Sequence, residues 1–197
     1  MFDFFYSDPH FGFDNVRGAR GFETHDEHHA HLVERYNTMV TSPEECVAWL
    51  GDVSRLDLGR TREILSSMTG RKVLVPGNWD QHLPPEWFYK AGFDLVLPYQ
   101  VRYFLGDRAV QLSHLPFGSP GAKEGKHGAL RPPRHKGEAL IHGHSHTKRR
   151  VKGRQINVCC EAWDLRPVTR AEILALLEDI PVGGSPKSRR DGQWRVT

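Results

Sequence analysis

Residues 71–80 read "RKVLVPGNWD". Two basic residues lead into a short apolar run, Lys72 to Val75, of the length and β-branched content of a buried strand. It then breaks into Gly77-Asn78-Trp79-Asp80, a turn with no evident need for tryptophan, the largest side chain. Other stretches end in the same manner, an apolar run closing on polar groups. "MFDFFYS" (1–7) leads to Asp8 and His10, and "CVAWL" (46–50) to Gly51-Asp52. "RAVQLSH" ends at Ser113-His114, and "EALIHGHSH" (138–146) at His144 and His146.

Between the early strands lie helical patterns. In "THDEHHAHLVERYNTMV" (24–40), Thr24 and Glu27 form a capping box and Leu32, Tyr36, Met39 and Val40 an apolar stripe. A second helix carries Ile64, Leu65 and Met68 and stops at Gly70. "DLVLP", "YQVRYFLG" and "RAVQLSH" follow one another as strands, and "RRVKGRQINVCC" reads as a hairpin about Lys152-Gly153. Thr169 and Glu172 cap a last helix, "RAEILALLEDI". Early strands alternate with helices and later ones do not, which gives a layered α/β protein with a mixed sheet. One domain is expected over 1–180, with a loose tail over 181–197.

Of 197 residues, 38% are hydrophobic and 26% charged, with a formal net charge of +3. That balance suits an anionic substrate and falls short of a nucleic-acid-binding signature. No run approaches the roughly 18–20 apolar residues of a membrane span. The acidic N-terminus lacks the basic region of a signal peptide. Cys46, Cys159 and Cys160 lack zinc-site spacing and read as reduced thiols of a cytoplasmic protein.

Ligands that follow strands of an α/β fold can converge on one crevice at the carboxyl ends. Asp8, His10, Asp52, Asn78, His114, His144 and His146 offer nitrogen and oxygen donors suited to borderline divalent metals. Neighbouring carboxylates call for cations to neutralise them. Two metals sharing a carboxylate would form a clamp for displacement at phosphorus.

In order, "SDPHFG", "LGD", "PGNWD", "SHLP" and "HGHSH" resemble the five blocks of calcineurin-like metallophosphoesterases: D-x-H, G-D, G-N-H-[DE], a lone H, and G-H-x-H. The resemblance covers about residues 1 to 170 and is nearest the small stand-alone enzymes of bacteria and phages. It implies a four-layer α/β/β/α sandwich of two mixed sheets. It implies one metal on Asp8, His10 and His146, another on Asn78, His114 and His144, Asp52 bridging, and a bridging hydroxide attacking phosphorus. Mn2+ leads as the ion, with Fe, Zn, Ni and Mg as alternatives.

Trp79 departs from the pattern, because the family has histidine there, as phosphate contact and general acid. An indole N–H donates a hydrogen bond but does not release its proton at physiological pH. Trp79 is therefore expected to hold substrate, with His82 as a substitute acid. The alternative is a Trp79 packed in the core of a chain that has lost turnover. Without an acid, good leaving groups and strained rings are favoured, so 2′,3′-cyclic nucleotides are the expected substrate. Arg20 and Lys123 are candidate phosphate contacts. Lys123 belongs with Lys126, Arg131, Arg134 and Lys136 to a basic loop, 115–137, that reads either as solvated surface or as a lid placing positive charge over a phosphate. The histidines at 25, 28, 29 and 31 are expected on a solvated helix face, and His142 behind the ligands. A nuclease and a metal-holding scaffold are the competing functions. No oligomeric state is implied.

Overall fold

The computed structural model describes residues 1–118, 127, 130–133, 137–181 and 194–196. Strands β1 (Phe4–Tyr6), β2 (Cys46–Trp49), β3 (Arg71–Leu74) and β4 (Leu95–Val96) run parallel, side by side. A later strand, β10 (Val168–Thr169), adds antiparallel to the free edge of β1. The connections from β1 to β4 are helical, as parallel neighbours require. They contain α1 (Asp14–Ala19) with α2 (His25–Asn37), then α3 (Leu58–Ser66), then α4 (Pro85–Ala91).

The second sheet holds β5 (Gln100–Leu105), β6 (Arg108–Ser113), β7 (Ala139–His142), β8 (Val151–Lys152), β9 (Gln155–Asn157) and β11 (Trp194–Val196). Its order is β11-β5-β6-β7-β9-β8, with β6, β7 and β9 parallel and the other pairs antiparallel. Both sheets are therefore mixed, and the protein is α/β.

Alternation along the strands sets the layers. Phe5, Ala48, Leu50, Val73 and Val75 point into a core shared with Val101, Tyr103, Leu105, Val110, Leu112, Ile141 and Ile156 of the second sheet. Their neighbours Phe4, Tyr6, Val47, Trp49 and Leu74 point the other way, onto Leu32, Tyr36, Ile64, Leu65 and Phe88 of the helices. Burial on both faces is why these strands read as unbroken apolar runs. Ile173 and Leu177 of α5 (Arg170–Glu178) join the inter-sheet core.

The capping boxes at Thr24 and Thr169 form as expected. Two helices were absent from the sequence reading. α1 has six residues, too few for a period, inside the glycine-rich loop. α4 starts at Pro85 and ends at Gly92 in the left-handed conformation (φ 117°), a proline start and glycine stop within seven residues. The tail is corrected at its end, where the backbone of Trp194–Val196 pairs antiparallel with Val101–Tyr103. An edge strand offers unpaired backbone groups, and Trp-Arg-Val has the composition to take them. Lys123, Lys126, Arg134 and Lys136 lie outside the described residues. All three cysteines are unpaired, Cys159 and Cys160 buried. Among the described residues no helix is long and apolar enough to cross a membrane.

Candidate metal centre

All seven candidate ligands lie just past the carboxyl ends of β1, β2, β3, β6 and β7. The loops that carry them are stitched together through the backbone. Asp8 N–H donates to Gly51 O (3.1 Å), His10 N–H to Asp52 O (3.2 Å), and Gly143 N–H to His114 O (3.0 Å). Five of the seven adopt a left-handed backbone: Asp8 (φ 60°), His10 (52°), Asp52 (56°), His144 (65°) and His146 (44°). Non-glycine residues pay for that conformation, and such strain concentrates at functional sites. Glycines beside the ligands permit the close approach. A Cβ on Gly143 would overlap Ser7 Oγ and Asp8 Oδ2, and one on Gly77 would overlap Asp52.

The side chains form two groups whose ligand atoms lie within 4.8 Å of one another, Asp8-His10-His146 and Asp52-His114-His144. Asp52 Oδ2 stands between them, 3.5 Å from His10 Nε2 and 3.2 Å from His114 Nε2. Asn78 Oδ1 is 3.0 Å from His114 Nε2, which places it with the second group. In the first group His10 Nε2 and His146 Nε2 are 3.1 Å apart, and each is 3.5 Å from Asp8 Oδ1. Asp8 Oδ1 is buried without a hydrogen-bond partner, although buried polar atoms rarely go unpaired. A cation among these atoms would satisfy it, so the donor groups could hold metal ions.

Outer partners aim the ligands. His114 Nδ1 meets Leu50 O at 2.7 Å and His146 Nδ1 meets Glu161 Oε1 at 3.0 Å. When those nitrogens carry the proton, the Nε2 lone pairs face inward. Ser7 Oγ–H (2.6 Å) and the His144 N–H (2.9 Å) both donate to Asp8 Oδ2. The buried Asp80 carboxylate accepts from the N–H groups of Asp52 (2.7 Å), Val53 (3.1 Å) and Gly77 (2.7 Å), locking two ligand loops together.

Electrostatics follow. Burial pushes Asp8 up, but His114, His10 and His146 together hold it well below the usual carboxylate range. Burial opposes charging His114 too, yet Asp8 and Asp52 lift it to about 9. A metal taking His114 as ligand must displace that proton. His144 is pushed down to about 4, by burial and by His114, and is already neutral.

Several expectations are corrected. Arg20 has no donor to spare for a phosphate. Its Nε and Nη2 bond Glu161 Oε1 (3.0 and 2.7 Å), Nη2 also bonds Asp8 O (2.7 Å), and Nη1 bonds Pro9 O (2.8 Å) and His28 Nε2 (3.0 Å). It clamps the loop bearing Asp8 and His10. His82 is exposed on the 3-10 turn Asp80–His82 and makes no hydrogen bond to the seven ligands among the described residues. Trp79 is not core packing, being 44% exposed, while its backbone N–H donates to Asp52 Oδ1 (2.9 Å). Lys123 lies outside the described residues. Arg131 of the same loop bonds Pro116 O at 2.9 Å. His142 is buried next to the site, its Nδ1 2.7 Å from Gly143 O.

The sequence reading missed Glu161. Its carboxylate takes His146, Arg20 and the Cys159 thiol (Sγ to Oε2, 2.9 Å), and sits within the "INVCCEAWDLRPV" stretch. Burial would raise it, but His146 and Arg20 pull it down to about 2. Glu161→Gln should leave the fold intact and weaken metal binding about 10- to 100-fold, the usual effect of losing a partner behind a histidine ligand. Calorimetric titration with Mn2+ checks this; unchanged affinity would make Glu161 a structural anchor only.

The helical histidines are also corrected. His28 is fully buried and His29 nearly so, because their Nε2 atoms accept from Arg20 Nη1 and from Gly12 N–H (3.1 Å). Burial and nearby positive charge lower them to about 3 and about 4. The unfolded chain then binds more protons than the folded one below the ordinary histidine pKa of ~6.5. Their stability contribution is whole above ~6.5 and is lost as pH falls towards about 4 and then 3, up to about 2 kcal/mol each at pH 5. Urea midpoints at pH 7 and 5 should show this loss, and the double variant His28→Gln, His29→Gln should flatten it.

No protein-family model matches the chain, and no curated protein matches it. A crystal structure of a protein of unknown function from Aquifex aeolicus is similar, with a TM-score of 0.66 and 24% identity. The match spans 88% of this chain and 97% of that one. At that identity the likeness concerns the fold.

Proposed function

We propose that the protein is a two-metal phosphodiesterase acting on small nucleotide phosphodiesters, with 2′,3′-cyclic nucleotides as the leading substrate. The observation that carries the reading is the pair of ligand groups joined through Asp52 Oδ2. Asp8, His10 and His146 would hold one ion, Asn78, His114 and His144 the other, and Asp52 both. Two ions there would supply Lewis acidity at phosphorus and a nucleophile at neutral pH. Mn2+ leads for this oxygen and nitrogen set, with Fe, Zn, Ni and Mg as alternatives.

The chain's own residues then orient and neutralise. Trp79 N–H and the Asp80 carboxylate fix the Asp52 loop. Arg20 and Glu161 fix the opposite side. No imidazole stands at position 79 to protonate a leaving oxygen, so esters with good leaving groups or ring strain suit the site. The four-layer α/β/β/α sandwich of the metallophosphoesterases belongs to the same reading, as does a reducing, cytoplasmic setting for three free thiols.

The test is metal-stripped protein resupplied with single ions and assayed on bis-p-nitrophenyl phosphate, 2′,3′-cyclic AMP, p-nitrophenyl phosphate and polynucleotides. Diester turnover should appear only with metal. Activity that survives metal removal, or its absence with every ion, would overturn the proposal. Polynucleotide cleavage falling steeply with salt would move it to a nuclease.

A further inference from the structure

One cluster at the rim of the metal centre takes no part in ligation. Trp79 is 44% exposed, whereas Phe11 and Phe13 of the facing loop are buried. The indole meets the Phe13 ring edge-on, with centroids 5.2 Å apart. The Arg55 guanidinium lies 4.7 Å from the indole centroid and 4.9 Å from that of Phe13. Arg55 is exposed, and its guanidinium makes no hydrogen bond or ion pair among the described residues.

The cluster is fastened to the ligands at both ends. Trp79 N–H bonds Asp52 Oδ1, and Phe13 packs edge-on against His10 with centroids 4.4 Å apart. An exposed indole, held by a buried ring and with a guanidinium over one face, has the properties of a stacking platform for a flat heterocycle. Its position beside the ligand groups puts that platform next to where a phosphate would sit.

We propose that Phe13, Trp79 and Arg55 form a base-binding subsite, which takes the heterocycle of a nucleotide whose phosphate lies at the metal ligands. This rests on the phosphodiester reading of those ligands and narrows it to substrates that carry a base. It also gives the tryptophan of the Gly-Asn-Trp-Asp turn its purpose. Arg55 steadies the indole and adds positive charge facing an anionic ligand. Purines, with more ring area to stack, should bind more tightly than pyrimidines.

The experiment is calorimetric titration of 3′-AMP, and separately of inorganic phosphate, into the Mg2+-supplied wild type, Trp79→Phe and Trp79→Ala. Stacking on one aromatic side chain is expected to make 3′-AMP about 5- to 100-fold weaker in Trp79→Ala. Trp79→Phe, which keeps a ring and guards against a folding failure, should fall between. Phosphate affinity should not change in either variant. Equal weakening of 3′-AMP and phosphate, no change for 3′-AMP, or no binding of 3′-AMP to the wild type would overturn the subsite. Base-dependent binding without any metal-dependent hydrolysis would keep the subsite and remove the phosphodiesterase reading. Hydrolysis with base-independent binding would do the reverse.

Discussion

Asp52→Asn is expected to strip metal from both ligand groups at once and to lower diester turnover by more than about 100-fold. Outer partners of metal ligands already cost 10- to 100-fold, and Asp52 stands between the two groups, 3.5 Å from His10 Nε2 and 3.2 Å from His114 Nε2. The amide can keep the bond from Trp79 N–H through Oδ1, so the loop should hold its shape. What changes is Oδ2, replaced by an NH2 group that cannot coordinate a cation and points at two imidazoles. In the metal-free chain the substitution relieves Asp80 of a neighbouring charge but leaves His114 with Asp8 as its carboxylate partner, so stability should be measured alongside metal content. The wild type should gain thermal stability as Mn2+ is added, by mass action, and the variant should gain little. Elemental analysis showing full metal content in the variant, with turnover near wild type, would remove Asp52 from its bridging role.

Trp79→His is expected to act in the opposite direction, and selectively. A general acid is worth ~100- to 10,000-fold where a basic oxygen must leave. An imidazole introduced at position 79 should raise turnover of alkyl esters by up to ~10- to 1,000-fold, depending on how well it is placed. Aryl diesters and 2′,3′-cyclic nucleotides should gain little. Exposure of Trp79 removes the usual risk of such a swap, since no core cavity is opened. The smaller ring is a poorer platform, so KM for purine nucleotides should rise even where kcat improves. A variant that folds, binds its metals and changes every substrate by one factor would show that position 79 has no bearing on leaving-group protonation.

How much of this was legible beforehand depends on what each residue's role requires. The convergence of the candidate ligands could be read because each follows a strand that is buried on both faces, and the run of apolar residues announces the strand. The need for glycine at 77 and 143, where a Cβ would strike the facing loop, shows only in the structure. The helices with capping boxes were legible through Thr24-Glu27 and Thr169-Glu172, whereas α1 and α4 were too short to show a period. Arg20 was misread because an arginine near a phosphate site and an arginine buried behind it look alike in sequence. Only its five occupied N–H groups tell them apart. His28 and His29 were misread for the same reason, since helical spacing fixes direction but not what lies opposite. Glu161 sits 15 residues from His146 and 141 from Arg20, and no helical or strand period ties it to either.

The most direct test of the account is a crystal of the protein equilibrated with Mn2+ and measured for anomalous scattering at the manganese edge. Two peaks are expected, ~3.5–4 Å apart and on either side of Asp52 Oδ2, one beside His10 and His146 and one beside His114 and His144. A single peak, or a peak lodged instead among His146, Cys159 and Glu161, would contradict it.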